Sequence, residues 1–223
     1  HDLAALEVRQ DESVRILAND AYESADRIRG ALAAAGLKSV ADDEKSGLGG
    51  PLFVAVEDSA MPFDAKIADL DEALSRLEAA RLLVKSAPIA NPAPGMPVSS
   101  RFGGRTDPII GLHAFHSGMD FAAVSGTPVL ATAGGTVTIA DYNGGYGNMV
   151  DIDHGNGLST RYGHMSRILV SAGQRVSRGD VVGKAGSTGR STGAHLHYEV
   201  RRKGRPVNPT AYLRIGRQLA AEL

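Results

Sequence analysis

Residues 86–99 (SAPIANPAPGMPVS) place four prolines in fourteen positions, and neither a regular helix nor a central strand runs through such a stretch. The run therefore divides the sequence into parts that fold by different rules. It reads as a semi-rigid linker, extended where proline dominates, with the linker proper at 88–99. The two sides are chemically unlike. Residues 1–87 hold 17 Asp and Glu against 10 Lys and Arg, a net of −7, whereas residues 88–223 hold 8 against 14, a net of +6. The overall charge of −1 hides this division and gives no sign of a dedicated nucleic-acid binder.

The acidic part, 1–87, reads as a helical arm. Its apolar residues fall at Phe63, Ile67, Leu70, Leu74, Leu77 and, after a gap at Arg81, Val84, in steps of four and three that make a coiled-coil seam. Pro62 suits a first turn, and Asp64 suits a helix N-terminus. Upstream, Leu3, Leu6, Val14, Leu17, Ala21, Ala25, Ile28 and Leu32 form a looser stripe that ends near Gly36. The two stripes are expected to pack as an antiparallel helical hairpin. Residues 37–61 join them, a connection of about 25 residues that is longer than usual and so functional or mobile. A spacer or self-associating helix pair, or a dock for an envelope protein, is the expected role of such an arm.

The basic part is built differently. Short β-rich runs separated by glycine turns lie at Thr127–Thr132, Gly135–Tyr142, Asn148–Asp153, Leu158–His164, Asp180–Ala185 and His195–Arg201. They predict an antiparallel all-β domain over 100–209, with a helical tail over 210–223. The fold class is thus α+β by segments: a helical arm, then an all-β antiparallel domain. Segments Gly126–Gly135 and Gly173–Gly183 look loosely alike, as a duplication would leave them.

With no cysteine in the chain, disulfides, thiolate metal sites and cysteine nucleophiles are excluded. Six of the seven histidines, His113, His116, His154, His164, His195 and His197, lie in the β part, so any zinc site must use imidazole and carboxylate. In a strand, His195 and His197 share one face with Glu199 and Arg201, while Leu196, Tyr198 and Val200 share the other. Such a pair also occurs on ordinary solvated faces. His116 and Asp120 stand four residues apart, up to about 13 Å if fully extended, and Gly118 between them permits a bend. One His, one Asp and one of the strand pair would make three protein ligands, leaving a fourth position for water, as in catalytic zinc sites. His164, on a separate run, can supply an imidazole for proton transfer or transition-state stabilisation, or serve as a hydrogen-bonded structural residue.

From about Pro97 to Pro209 the chain resembles the M23 zinc metallopeptidases, the LytM-type or lysostaphin-like peptidoglycan endopeptidases. The resemblance rests on Ser100-Arg-Phe-Gly-Gly-Arg105, His116-x-Gly-x-Asp120, Gly126-Thr-Pro-Val, Gly144-Gly-Tyr-Gly-Asn148, Asp153-His-Gly-Asn-Gly157, Tyr162-Gly-His-Met165 and Gly186-Ser-Thr-Gly-Arg-Ser-Thr-Gly-Ala-His-Leu-His197. It implies that His116, Asp120 and His197 bind one Zn2+ and that His164 and His195 are the catalytic histidines beside it. It also implies a groove on a β-sheet walled by loops. His113 is expected in a structural or surface role, and His154, in the turn Asp153-His-Gly-Asn-Gly157, at the surface. Some relatives use a tyrosine shortly before the first ligand, and none stands between Phe102 and His116 here.

The substrate implied is the peptide cross-link of bacterial peptidoglycan. A helical arm ahead of the peptidase is similar to Gram-negative envelope members, which makes D,D-endopeptidase activity the preferred expectation. Two alternatives belong to other classes. One is a LytM-type non-enzymatic activator of cell-wall amidases, against which all five expected positions stand. The other is a latent peptidase autoinhibited by its arm. The substrate implies an extracytoplasmic, periplasmic location. The chain begins at His1 without a visible signal peptide, so a processed form, or a membrane anchor upstream, is expected.

Overall fold

The computed structural model describes residues 2–34, 36, 61–107 and 109–220. The connection expected over 37–61 lies, Met61 apart, outside the described residues. The chain forms two compact units, His1–Val84 and Lys85–Leu223.

The first unit holds α1 (Asp2–Ala34) and most of α2 (Phe63–Ser86). α1 contains no proline and one glycine, so little opposes the helix over its length. Its end is marked by Gly36, whose positive φ of 73° places it in the left-handed region and whose N–H bonds the Ala33 carbonyl at 2.8 Å. α2 starts after Pro62, whose carbonyl accepts from the N–H groups of Ala65 and Lys66, and it carries Asp64 in its first turn and Lys85 in its last.

The pair runs parallel, a correction to the expected antiparallel hairpin. Lys66 Nζ meets Asp11 Oδ2 at 2.6 Å, Tyr22 Oη donates to Asp69 Oδ1 at 2.9 Å, and the Arg76 guanidinium lies 5.2 Å above the Tyr22 ring. Positions later in α1 thus meet positions later in α2. The buried residues Ala21, Ala25, Ile28 and Leu32 of one helix and Ala73, Leu77, Ala80 and Val84 of the other share a spacing of four, three and four that reads the same in either direction. Heptad spacing is blind to direction, and about 25 connecting residues, at up to about 3.4 Å each, exceed the ~50 Å length of α1, so chain length permits a parallel pair. The contact is also narrower than the expected seam. Phe63, Ile67 and Leu74 stay exposed, while alanines fill the middle of the interface.

In the second unit an eight-stranded antiparallel sheet carries the core. In chain order its strands are β1 (Val98–Ser100), β4 (Met119–Ala122), β6 (Gly135–Tyr142), β7 (Asn148–Gly155), β8 (Leu158–Met165), β10 (Arg175–Val176), β12 (His195–Arg202) and β13 (Arg205–Val207). Across the sheet they lie in the order β1-β4-β12-β8-β7-β6-β10, with β13 also on β12. A second sheet joins β5 (Pro128–Leu130), β11 (Val181–Lys184) and β9 (Arg167–Ile168), and β2 (Gly103–Thr106) pairs with β3 (His113–His116) as a ribbon. The two loosely similar segments meet here, since β5 pairs with β11 antiparallel. The unit closes with α3 (Thr210–Gln218), which buries Tyr212, Leu213 and Ile215.

Alternation on β12 divides the unit. Leu196, Tyr198 and Val200 are fully buried on the core side. There a polar chain runs from the His154 imidazole through Thr160, Tyr162 and Thr132 to the Tyr198 hydroxyl, with contacts of 2.8 to 3.1 Å. His154, expected at the surface of a turn, is therefore a buried structural residue. It sits on the inward-facing parity at the end of β7, and its other nitrogen bonds the Gly134 carbonyl at 2.8 Å.

The proline-rich run is the second correction. Rather than standing off as a linker, it packs on the β unit, with Ala87, Ile89 and Ala93 buried. Proline lacks a donor but keeps its carbonyl, and the Pro92 and Pro97 carbonyls accept from Leu130 N–H and Ala122 N–H, both at 2.9 Å.

Candidate metal centre

Strand register builds half of the site. His197 stands directly opposite Asp120 in the β12–β4 ladder, and His195 stands opposite Ala122. His116 closes β3, and the Ser117-Gly118 turn carries the chain into β4, so the third side chain arrives beside the other two. Gly118 acts here through space rather than through an unusual φ. A Cβ at this position would lie 2.5 Å from the Tyr198 carbonyl oxygen and 2.7 Å from the His197 ring.

The three residues are almost fully buried, with 5%, 6% and 5% of their surface exposed for His116, Asp120 and His197. Their inner atoms converge: His116 Nε2 to Asp120 Oδ1 is 3.1 Å, His116 Nε2 to His197 Nδ1 is 3.2 Å, and His197 Nδ1 to Asp120 Oδ1 is 2.8 Å. The outer nitrogens are already engaged. His116 Nδ1–H donates to the Arg101 carbonyl at 2.8 Å, and His197 Nε2–H donates to Glu199 Oε1 at 3.1 Å. Each neutral ring then turns a lone pair inward, where the third partner is also an acceptor.

Three converging lone pairs need a cation between them. A tetrahedral site with metal–ligand bonds of about 2.0–2.1 Å has edges of about 3.3 Å, near these separations. Among the described residues this is the one group of three His, Asp or Glu side chains with ligand atoms mutually within reach of a metal ion. The donor set fits a divalent metal.

Two further imidazoles flank it. His164, near the end of β8, has a positive φ of 58°, an uncommon conformation for a residue with a side chain. Its Nδ1–H donates to the Thr188 carbonyl at 2.8 Å. Burial pushes the imidazole down to about 4, against the opposing effect of that bond, so the ring is neutral at pH 7. His195 Nδ1–H donates to the Gly193 carbonyl at 2.8 Å, and its Nε2 lies 3.9 Å from Asp120 Oδ1.

All five side chains open on a cleft of about 630 Å³, whose walls include Ser100, Arg105, Phe115, Tyr146 and Arg190. At one wall the Asp107 carboxylate accepts the N–H groups of Ile109 and Ile110 and holds the Arg190 guanidinium at 2.9 Å, joining two loops. His113 is exposed and lies outside the cleft. Tyr146 lines the cleft, and its hydroxyl donates to Glu199 at 2.9 Å. Sequence reasoning placed Glu199 on the His197 face of its strand but gave it no role. The carbonyls of Arg101, Thr188 and Gly193 left no signal, because a backbone acceptor is independent of residue type.

Comparison with known proteins bears directly on this arrangement. The family model described as Peptidase family M23 matches residues 114–209, a span that contains all five side chains. Residues 114–209 belong to that family. The chain is 51% identical over 114 residues to the DD-carboxypeptidase/endopeptidase Mpg of Neisseria meningitidis, a match covering 51% of this chain and 26% of that protein. It is 49% identical over 112 residues to the peptidoglycan DD-endopeptidase ShyA of Vibrio cholerae, covering 50% and 26%. Among solved structures, a zinc containing peptidase from Vibrio cholerae superposes with a TM-score of 0.53 at 36% identity, covering 59% of this chain and 40% of that one. The chain therefore spans about a quarter of the length of the curated relatives it matches. The helical arm followed by an antiparallel β domain agrees with the fold class expected from sequence.

Proposed function

We propose that this chain is a zinc-dependent endopeptidase that hydrolyses peptide cross-links of bacterial peptidoglycan, cutting the D-alanyl–diaminopimelate bond of a Gram-negative envelope from the periplasmic side. The observation that carries this reading is the convergence of three buried lone pairs, on His116, Asp120 and His197, beside two imidazoles whose Nδ1 atoms are both tied to backbone.

His116 and His197, each fixed by an outer hydrogen bond, and Asp120 would hold the ion. Zinc, when bound, supplies a Lewis acid that polarises a carbonyl and brings the pKa of water to about 7. With Nδ1 occupied in both, His164 and His195 each present Nε2 to the cleft. Between them these atoms accept the proton of the attacking water and return one to the leaving amine. Burial keeps His164 neutral, the form that can accept a proton. The +6 charge of residues 88–223 favours an anionic polymer such as cell wall. The M23 relatives named as DD-endopeptidases support the choice of bond. The heptad-like spacing of buried positions along α1 and α2 supports reading the arm as a coiled coil.

The test is digestion of purified cross-linked muropeptides by the zinc-loaded chain, with products identified by mass spectrometry. Cross-linked dimers should become monomers. A chelator should stop the reaction, and added zinc should restart it. Full activity in His116→Ala or His197→Ala protein, or no cleavage by the zinc-loaded parent, would overturn the reading.

A further inference from the structure

The two imidazoles at the metal centre use different nitrogens. His116 turns Nε2 inward because its Nδ1 is held by the Arg101 carbonyl, whereas His197 turns Nδ1 inward because its Nε2 is held by Glu199. The identity of the donor atom is thus set by the outer partner. For His116 that partner is backbone and survives any substitution. For His197 it is one side chain.

Glu199 is fully buried, and a buried carboxylate persists only where donors satisfy it. Its two oxygens divide the work. Oε2 takes the Arg201 guanidinium. Oε1 receives three donors from the site: His197 Nε2 at 3.1 Å, Ser117 Oγ at 2.5 Å and Tyr146 Oη at 2.9 Å. Ser117 lies between the first two metal-binding positions, and Tyr146 ends the short 3-10 turn Gly144–Tyr146 that walls the cleft. Tyr146 is itself covered by the Arg161 guanidinium, 4.5 Å above its ring, and Arg161 is anchored to Asp151 by two bonds of 2.8 and 2.7 Å. One oxygen therefore ties together the turn between the ligands, the cleft wall and the imidazole of His197. An ion pair with Arg201 alone would require none of these.

We propose that Glu199 is a positioning residue that selects Nδ1 of His197 as the metal donor and fixes the plane of that ring, with Ser117 and Tyr146 holding Glu199 in place. This inference rests on the metal-binding reading of His116, Asp120 and His197 and adds to it a residue that touches neither metal nor substrate.

The experiment measures zinc affinity on the full chain by competition with a chelating indicator, and the visible absorption of the cobalt-substituted protein. Neither readout depends on catalysis. Glu199→Gln keeps the size of the side chain but replaces one acceptor oxygen with a donor, and it should weaken zinc binding about 10- to 100-fold. Its cobalt spectrum should shift while the melting temperature of the metal-free protein changes little. The double variant Ser117→Ala/Tyr146→Phe keeps the carboxylate and removes two of its tethers. It should weaken zinc binding about tenfold, at the lower end of the range for outer-shell partners, and it decides the matter if Glu199→Gln does not fold. A folded Glu199→Gln protein with parental affinity and cobalt spectrum would overturn the proposal, as would a double variant with both unchanged. If the parent binds zinc no better than His116→Ala, the metal reading itself falls, and this proposal falls with it.

Discussion

His164 and His195 face one another across the cleft with ring centroids 4.7 Å apart, and each gives its Nδ1 proton to a carbonyl of the same loop, Thr188 for one and Gly193 for the other. One loop therefore sets the tautomer of both rings. The outer partners of His116 and His197 lie elsewhere, on Arg101 and Glu199.

Separate replacement of these two rings should separate chemistry from metal binding. His164→Ala and His195→Ala are each expected to lower kcat on cross-linked muropeptides by about 10²- to 10⁴-fold. Zinc content, read by atomic absorption, should remain one per chain. The double variant should lose less than the product of the two, because groups acting together are not additive. Loss of zinc in either single variant would instead mark that ring as a ligand.

Gly118→Ala should damage the centre without touching a ligand. Its Cβ would press on the Tyr198 carbonyl and the His197 ring at 2.5 and 2.7 Å, closer than any real contact. The ring must move. Zinc affinity should fall at least tenfold, measured by indicator competition, while the far-ultraviolet circular dichroism stays that of the parent.

Thr132→Val tests the polar chain behind the sheet. Among the described residues the Thr132 hydroxyl is the one hydrogen-bond partner of the Tyr198 hydroxyl, at 3.0 Å, and both residues are fully buried. Removing it strands a buried hydroxyl at a cost of about 1–3 kcal/mol. Thermal unfolding should drop by roughly 2–4 °C per kcal/mol. Because Tyr198 faces away from His197 on the strand, zinc affinity should not change.

Acid should weaken the fold through His154. Burial lowers this imidazole below its ordinary value, against the bond to Gly134 and the charge of Asp153, which raise it. The unfolded chain then binds the proton more readily than the native one, so the contribution of His154 is fully present above about pH 6.5 and declines as pH falls through that value toward the lower native one. Urea midpoints between pH 7.5 and 5 should show this slope in the parent and a shallower one in His154→Gln. Equal slopes would remove His154 from the account.

The direction of the arm can be read by cross-linking, since the chain has no cysteine to interfere. Ala21→Cys/Ala73→Cys should form a disulfide on mild oxidation, seen as a linked peptide by mass spectrometry. Linkage of Ala21→Cys to a cysteine near Val84 instead would restore the antiparallel pair.

What was legible in the sequence follows the range over which each signal acts. Alternation over eight residues marked β6 and β12 to within a residue, because a long half-buried strand writes its own pattern. Strands β1 to β4 hold three or four residues each and left no pattern, since they exist through distant pairings such as Ser100 with Asp120. The pair His195 and His197 stayed ambiguous from spacing alone for a related reason. Only the register against β4 puts residue 197 opposite Asp120 and moves residue 195 about 7 Å along the strand. Glu199 shared a strand face with His197 on paper, but its partners Ser117 and Tyr146 lie 82 and 53 residues away. Proline content in 86–99 correctly ended the helix, yet it was silent on the carbonyls that bind the segment to the sheet.

The opposition of Asp120 and His197 in neighbouring strands has a consequence for how the protein matures. A slip of one residue in that ladder would send one of the two side chains to the other face of the sheet. On the proposed metal-binding reading, only chains whose β4 and β12 have paired correctly would retain the ion, and a misregistered chain would identify itself by staying empty.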